Sequence, residues 1–298
     1  MDRENIQEHW YWEVTLACPH SVADLLSFYL FENGAVGIQE LEAEKEQTRF
    51  KGFFLPSSES LKARLDSAIR QIERERDTIR IGTIQRKRME NWQENWQKYF
   101  KPLPVGGKFV IRPPWEPPST DRKEIVIQPG QGFGTGYHES TRLALEMLEW
   151  AGEQTPLRSV LDVGTGSGIL AIASLLLGAQ RVTAIDIDTA SVAEVPQNLQ
   201  LSGLAKNSVC LLCQSPAHLK QTADMVIANI VAETILTISD DLKRLTLTGG
   251  FLIVSGIVLE MRRKVASRFQ TAMTLVHTLC RGEWCSLAFR KDRKIEAR

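Results

Sequence analysis

The sequence predicts an α/β protein in which a mostly parallel sheet of seven strands follows a smaller α+β domain. From residue 124 onward, short apolar strands alternate with segments of helical periodicity, which is typical of an open parallel sheet. Near the carboxyl terminus, only Arg281-Gly282-Glu283 joins two strands, and so short a link makes an antiparallel hairpin. The first 85 residues have a different order of strands and helices, which predicts a separate domain.

The composition is that of an ordinary globular protein, and it excludes several classes. The 298 residues suffice for two domains, and the 36 basic and 36 acidic side chains give no net charge. A broadly basic surface for nucleic acid is therefore not predicted, and we expect no dedicated nucleic-acid binding. No apolar stretch is long enough to span a membrane, and the amino terminus is too polar for a secretory signal. The five cysteines are expected to be reduced thiols of a cytoplasmic protein.

Residues 1–85 are predicted to form one small domain with the order βαββαβ, which is that of a ferredoxin-like split βαβ sandwich. Helices are expected to begin at Ser21 and at Ser57 or Ser58. The expected strands are Trp10–Ala17, Ala35–Leu41, Thr48–Leu55 and Thr78–Ile84.

A helix over residues 86–104 is predicted to link the two domains. Trp92, Trp96 and Phe100 recur every four residues, so they share one helix face, which we expect to dock on a neighbouring domain. Prolines end this helix, and four more prolines between positions 113 and 118 predict a stiff, irregular stretch.

Residues 105–298 are predicted to form the second domain, whose sheet contains five strands separated by helices and then the terminal hairpin. The expected strands are Ser159–Val163, Arg181–Ile185, Ser208–Cys213, Met225–Ala228, Phe251–Ser255, Thr274–Cys280 and Trp284–Arg290. The spacing of Cys210 and Cys213 resembles a metal or redox pair, but their apolar surroundings favour a buried strand. We therefore predict no metal site.

A glycine-rich turn follows the first of these strands. Glycine permits unusual dihedral angles and lets a nucleotide-like ligand approach the backbone, so Gly164, Gly166 and Gly168 are predicted to bind a cofactor. A full dinucleotide fingerprint needs glycine at position 169, where this chain has Ile169. This departure and the terminal hairpin favour the methyltransferase variant of the doubly wound fold over a nicotinamide dehydrogenase.

Acidic residues both precede and follow this turn in the sequence. Asp186 ends the next strand, about 20 residues on, where a carboxylate binds two ribose hydroxyls. The alternative is an exposed acid at a strand end, and the role of Asp188 is less defined. Asp162 lies just before the turn and is expected to orient the amides of the turn or to contact a cationic ligand tail.

A second glycine-rich loop, over residues 128–141, precedes a helix that is expected to start near Ser140 or Thr141. Its amides and the helix N-terminus attract a carboxylate, which the methionine end of S-adenosylmethionine supplies. The hydroxyl of Thr141 either donates a hydrogen bond to this carboxylate or caps the helix. His138 acts as a general base or holds the loop by hydrogen bonds.

Asn229 is the predicted catalytic residue. It follows the fourth strand, where this fold brings side chains to the reactive end of the cofactor. Its neutral carbonyl can orient an amine N–H and leave the nitrogen lone pair facing a methyl group, which is catalysis by positioning. The alternative is an ordinary turn asparagine.

With these motifs, the chain resembles the ribosomal protein L-eleven (L11) methyltransferase family, which is a class I, S-adenosylmethionine-dependent family. The resemblance covers nearly the whole chain and is carried by the Trp92…Phe100 helix, the loop from Pro129 to His138, the turn 163–170, Asp186-Ile187-Asp188, Ala228-Asn229-Ile230, Ser255-Gly256-Ile257 and Glu283-Trp284-Cys285.

The resemblance implies that the small domain grips the ribosomal protein and that the larger domain methylates lysine ε-amines and an N-terminal α-amine. It implies cofactor binding at Thr141, Gly164, Asp186 and Asn229, and within the loop at Phe133, Gly134, Thr135 and His138. The chain departs from the family at Gln128, Ser140 and Thr189, and Pro196 is expected to interrupt the helix that follows Asp188.

Other functions remain open alternatives. One is a class I methyltransferase that acts on another protein amine, a glutamine amide or a nucleic acid base. The amide and base enzymes often carry Asn-Pro-Pro-aromatic here, and Asn229-Ile230-Val231-Ala232 lacks that clamp. Another is a module that binds the cofactor without catalysis, against which the intact Asp186, Asn229 and glycine turn argue.

Overall fold

A computed structural model describes residues 10–44, 47–54, 60–72, 79–88, 100–118, 121–128 and 136–292. The chain divides into two compact units, one of residues 1–101 with 129–133 and the other of residues 102–128 with 134–298. Within the described ranges, no helix is long and apolar enough to cross a membrane.

Within its described residues, the first unit contains a four-stranded antiparallel sheet and two α-helices. The strands pair in the order β2-β3-β1-β4, which is the arrangement of a split βαβ sandwich. Its elements are β1 (Trp10–Pro19), α1 (Ala23–Glu32), β2 (Ala35–Glu44), β3 (Gln47–Phe54), α2 (Leu61–Arg70) and β4 (Arg80–Arg88).

Local hydrogen bonds explain where α2 begins and where α1 ends. Ser60, rather than Ser57 or Ser58, caps α2, because its hydroxyl accepts a hydrogen bond from the amide of Ala63. The buried guanidinium of Arg64 donates to the carbonyls of Asn33 and Gly34, where α1 ends. Carbonyls at a helix end need such partners, so Arg64 joins the two helices.

The second unit is built on a seven-stranded sheet, and the predicted antiparallel hairpin is confirmed. The order is β10-β9-β8-β11-β12-β14-β13, in which only β14 runs against its neighbours. The strands are β8 (Ser159–Val163), β9 (Arg181–Asp186), β10 (Val209–Cys213), β11 (Ala223–Asn229), β12 (Thr246–Val258), β13 (Met273–Arg281) and β14 (Trp284–Lys291).

Helices cover both faces of this sheet. Successive side chains of a strand point to opposite faces, so Val160 packs in one apolar cluster and Leu161 in the other. The first face holds α3 (Glu139–Gln154), α4 (Ile169–Leu176) and α5 (Thr189–Leu201), and the second holds α6 (Ala232–Thr237), α7 (Ser239–Leu245) and α8 (Arg262–Phe269).

The second unit also contains a small three-stranded sheet that was not predicted. It consists of β5 (Leu103–Val105), β6 (Phe109–Arg112) and β7 (Lys123–Val126), where a helix end and an irregular stretch were expected. All four residues of β6 are buried, and an ion pair of 2.7 Å joins Arg112 to Glu124. The predicted linker helix is therefore wrong at both ends, since residues 86–88 belong to β4 and residues 103–104 to β5. Its aromatic residues Trp92 and Trp96 lie outside the described residues.

Two further predictions need correction. Pro196 lies inside α5 without ending it, and the helix runs on to Leu201. Cys210 and Cys213 do lie on a strand, but both are exposed, because β10 is an edge strand of the sheet.

Candidate functional site

Four polar side chains lie at the carboxyl ends of neighbouring parallel strands. They are Asp162 of β8, Asp186 of β9, Asn229 of β11 and Ser255 of β12. Asp162 pairs with Ala184 and Ile227, which lie two residues before Asp186 and Asn229. Side chains two apart on a strand share a face, so all four belong to the face covered by α3, α4 and α5.

The strand order of the sheet reverses between β8 and β11. In open α/β sheets, ligands bind at this point.

The glycine-rich turn after β8 is held against β9. The amides of Gly164 and Thr165 both donate to the carbonyl of Ile185, at 2.9 and 3.0 Å. Gly164 and Gly168 have φ values of 73° and 83°, which side chains rarely adopt. A Cβ at Gly164 would come within 2.5 Å of the Ile230 side chain. The turn therefore keeps its backbone uncovered only with glycine at these positions.

Asp186 connects the tip of β9 to this turn. Its carboxylate accepts hydrogen bonds from the amide of Gly166 at 2.9 Å and from the amide of Asp188 at 3.1 Å. A carboxylate has about four acceptor sites, so it retains capacity for two further donors.

Asp188 itself caps α5 and is occupied by the protein. Its side chain accepts hydrogen bonds from the amides of Ala190 and Ser191 and from the hydroxyl of Ser191. Burial acts to raise the pKa of Asp188, but these hydrogen bonds outweigh it and hold the pKa below its usual range.

Asp162 is completely buried beside the turn. Its Oδ2 accepts a hydrogen bond of 2.7 Å from the Thr165 hydroxyl, and the backbone amide of Ala171 also interacts with this carboxylate. Burial raises its pKa to about 7, and the hydrogen bond from Thr165 offsets this only in part. The charge of Asp186 adds to the rise. Near neutral pH, this carboxyl group can therefore gain or lose a proton.

Asn229 and Thr141 are hydrogen-bonded to each other although 88 residues separate them. Asn229 Nδ2 donates to Thr141 Oγ1 at 3.1 Å, and only 5% of Asn229 is exposed. This bond fixes the amide plane and leaves Asn229 Oδ1 as a buried acceptor without a partner among the described residues. Thr141 lies in the first turn of α3 and keeps its own hydroxyl proton for donation.

His138 is the N-cap of α3. Its Nδ1 accepts from the amide of Ser140 at 3.2 Å and lies 2.8 Å from the Ser140 hydroxyl. Burial, together with the charge of Arg142, lowers its pKa to about 3. The ring packs edge-on against Trp284, with centroids 4.7 Å apart. His138 is therefore neutral at physiological pH, and this environment favours the structural alternative over a general base.

Two side chains of the site, those of Asn198 and Ser255, were not predicted individually. The Asn198 amide donates to the carbonyl of Ser167 in the glycine turn at 2.9 Å, and its oxygen accepts from the amide of Gln128 at 3.0 Å. The Ser255 hydroxyl donates to the carbonyl of Ser140 at 2.8 Å. A signal existed for Asn198, since it occupies the buried stripe of α5, where apolar residues are expected. Phe133, Gly134 and Thr135 lie outside the described residues.

Comparison with known proteins identifies the family. A family model described as "Ribosomal protein L11 methyltransferase (PrmA)" matches residues 10–292. A protein of that name from Geobacter metallireducens is 37% identical over 93% of this chain and 97% of its own length. Another from Thermosynechococcus vestitus is 33% identical over 96% and 98%. The crystal structure of a ribosomal protein L11 methylase from Lactobacillus delbrueckii subsp. bulgaricus is 31% identical, with a TM-score of 0.60 over 65% of this chain and all of that one. Taken with the fold, these matches show that the chain belongs to the ribosomal protein L11 methyltransferase family.

Proposed function

We propose that this protein transfers methyl groups from S-adenosylmethionine to lysine side-chain amines and the N-terminal amine of ribosomal protein L11. The observation that carries the proposal is the buried Oδ1 of Asn229 at the end of β11, which has no hydrogen-bond partner in the part of the chain that the structure describes. An unpaired buried acceptor costs folding free energy, so its presence suits a ligand that donates to it. The names of the relatives point to methylation of ribosomal protein L11.

The described residues fit S-adenosylmethionine. We propose that Asp186 accepts from the two ribose hydroxyls while it holds the amide of Gly166. The glycines at 164, 166 and 168 let the nucleoside approach the backbone. Thr141, at the N-terminus of α3, donates to the ligand carboxylate, which the helix end also attracts. The buried carboxylate of Asp162 suits the cationic amine of the methionine end.

When bound, S-adenosylmethionine supplies an electrophilic methyl group on a sulfonium. The residues of this chain then have to present an amine correctly. A free lysine has a pKa near 10.4, so the amine must lose a proton before it can attack. Burial favours the neutral amine, and Asn229 Oδ1 accepts one of its N–H groups, which turns the lone pair towards the methyl group. His138, with a pKa of about 3, takes no part as a base.

We further propose that the first unit binds the protein substrate. Its edge strand β4 exposes two large apolar side chains, Ile81 and Ile84, which are 38% and 46% accessible. Exposed apolar residues beside an unpaired strand edge favour contact with another protein.

Methyl transfer to purified L11 tests the function directly. The full-length protein is incubated with radiolabelled S-adenosylmethionine and L11, and mass spectrometry then locates the added methyl groups. We expect label on lysine and amino-terminal nitrogens. Incorporation only into a nucleic acid, a glutamine amide or another protein would replace L11 as the substrate. Cofactor binding without transfer to any of these would indicate a binding module.

A further inference from the structure

We propose that Cys280 and Cys285 form a redox-active pair that closes to a disulfide across the β13–β14 hairpin. The two residues lie directly opposite each other in the pairing of β13 with β14. Both are free thiols, and their Sγ atoms are 3.0 Å apart. Because a disulfide bond is about 2.05 Å long, the sulfurs have to approach by only about 1 Å.

The geometry of the hairpin suits this bond. Arg281 pairs with Trp284, so the turn between them contains only Gly282 and Glu283. The pair that closes a two-residue turn is hydrogen-bonded, and pairs alternate along an antiparallel ladder. Cys280 and Cys285 are therefore a non-hydrogen-bonded pair, in which Cα atoms lie about 4.5 Å apart, within the range that disulfides span. The bond can form without a shift in strand register.

The two thiols differ in accessibility, which sets the order of events. Cys280 is exposed on the edge strand β13, whereas Cys285 is buried on β14 between two neighbouring strands. Burial, reinforced by the contact with Cys280, raises the pKa of Cys285 to about 12. A reagent in solution therefore reaches Cys280 first, and Cys285 acts as the resolving thiol.

The Cys-x-x-Cys spacing elsewhere in the chain does not make such a pair. Cys210 and Cys213 lie on one strand, where residues three apart point to opposite faces and are separated by about 10 Å. Both are exposed, so they provide an internal control for general thiol oxidation.

The proposed oxidant is a low-molecular-weight disulfide such as oxidised glutathione. The Cys280 thiolate attacks one sulfur of that disulfide and expels one thiolate, which forms a mixed disulfide. Cys285 loses its proton to solvent, and its sulfur attacks the sulfur of Cys280 and expels the second small thiol. Two protein thiols are oxidised, and one small disulfide is reduced to two thiols.

Thiol mapping tests the proposal on the full-length protein. The reduced protein is equilibrated with stepped ratios of oxidised to reduced glutathione, quenched in acid, and alkylated after denaturation. We expect Cys280 and Cys285 to become protected together, with a loss of two hydrogen masses, while Cys210 and Cys213 remain alkylated. The oxidised form should also have a Tm higher by about 3 °C.

Matched variants separate this pair from general oxidation. Cys280→Ser should leave Cys285 alkylated at every ratio and abolish the Tm shift, whereas Cys210→Ser should behave as the parent protein. Cys285→Ser should stop at the mixed disulfide on Cys280. The proposal is overturned if both cysteines remain alkylated under fully oxidising conditions, or if Cys280 links to a different cysteine.

Discussion

At the scale of single residues, Asn229 is the side chain on which the proposed chemistry depends most. Asn229→Ala removes the amine acceptor and the hydrogen bond to Thr141 but leaves the glycine turn intact. We expect turnover to fall by about 100-fold, since misplacement of a reacting group by about 1 Å has that effect, while cofactor affinity changes little. Radiolabelled methyl transfer and calorimetry measure the two quantities. Unchanged turnover would remove Asn229 from the mechanism.

For Asp186 we expect the opposite effect, in which a substitution mainly lowers cofactor affinity. Asp186→Ala loses the proposed ribose bonds and the acceptor for the Gly166 amide. Hydrogen bonds to a charged group contribute about 1.5–3 kcal/mol, so cofactor affinity should fall by about 10- to 100-fold. Asp188→Ala is the matched control, because it removes only a helix cap, which costs about 1 kcal/mol of stability. Equal losses of cofactor affinity in the two variants would contradict the role of Asp186.

Asp162 gives the fold a pH dependence of defined sign. Its pKa is 3.8 in the reference state and about 7 in the fold, so between these values the folded protein holds a proton that the unfolded chain has released. Stability contributed by this group therefore rises as pH falls from 7 to 4, by at most about 1.4 kcal/mol per pH unit.

The variant Asp162→Asn keeps the shape of the side chain and cannot ionise. We expect it to be more stable than the parent protein at pH 8 and to lose this advantage towards pH 5. Urea unfolding of both proteins over this range measures the difference in their free energies of unfolding. His138 also titrates, but it is present in both proteins, so its contribution does not affect the difference. Parallel stability curves would show that Asp162 does not titrate in this range.

At the scale of secondary structure elements, β4 carries a prediction for the first unit. Ile84→Glu places a charge on the exposed edge strand, and we expect it to raise KM for L11 by about 10-fold without altering cofactor affinity. Leu247→Glu is the control, since Leu247 is 39% exposed but lies on β12 of the other unit. A similar rise in both variants would indicate a general loss of stability.

Elements were predictable where burial imposes a clear pattern. β8 was predicted to the residue, because its five buried residues form an apolar run bounded by a glycine turn. β5, β6 and β7 were missed because strands of three or four residues are too short to show periodicity, and Pro104 lies within β5. The exposure of Cys210 and Cys213 depends on the edge position of β10, which a local pattern does not contain.

At the scale of the whole molecule, the candidate site combines predictable residues with unpredictable contacts. Gly164 follows β8, and Asp186 and Asn229 end β9 and β11, so the parallel arrangement alone brings them to one edge of the sheet. The bond from Ser255 to Ser140 joins residues 115 positions apart, and the bond from Gln128 to Asn198 spans 70. No local pattern encodes such pairs, because they depend on how helices pack on the finished sheet.

The antiparallel insertion of β14 also constrains the order in which the protein can be completed during synthesis. β14 follows β13 in chain order, yet it lies between β12 and β13, and its Trp284 packs against the cap of α3. A nascent chain emerges amino terminus first, so β12 keeps an unpaired edge until residues 284–291 have left the ribosome. The candidate site is therefore finished only after Trp284 and the rest of β14 have been translated. A chain whose synthesis stops before Trp284 would keep an open, apolar strand edge on β12.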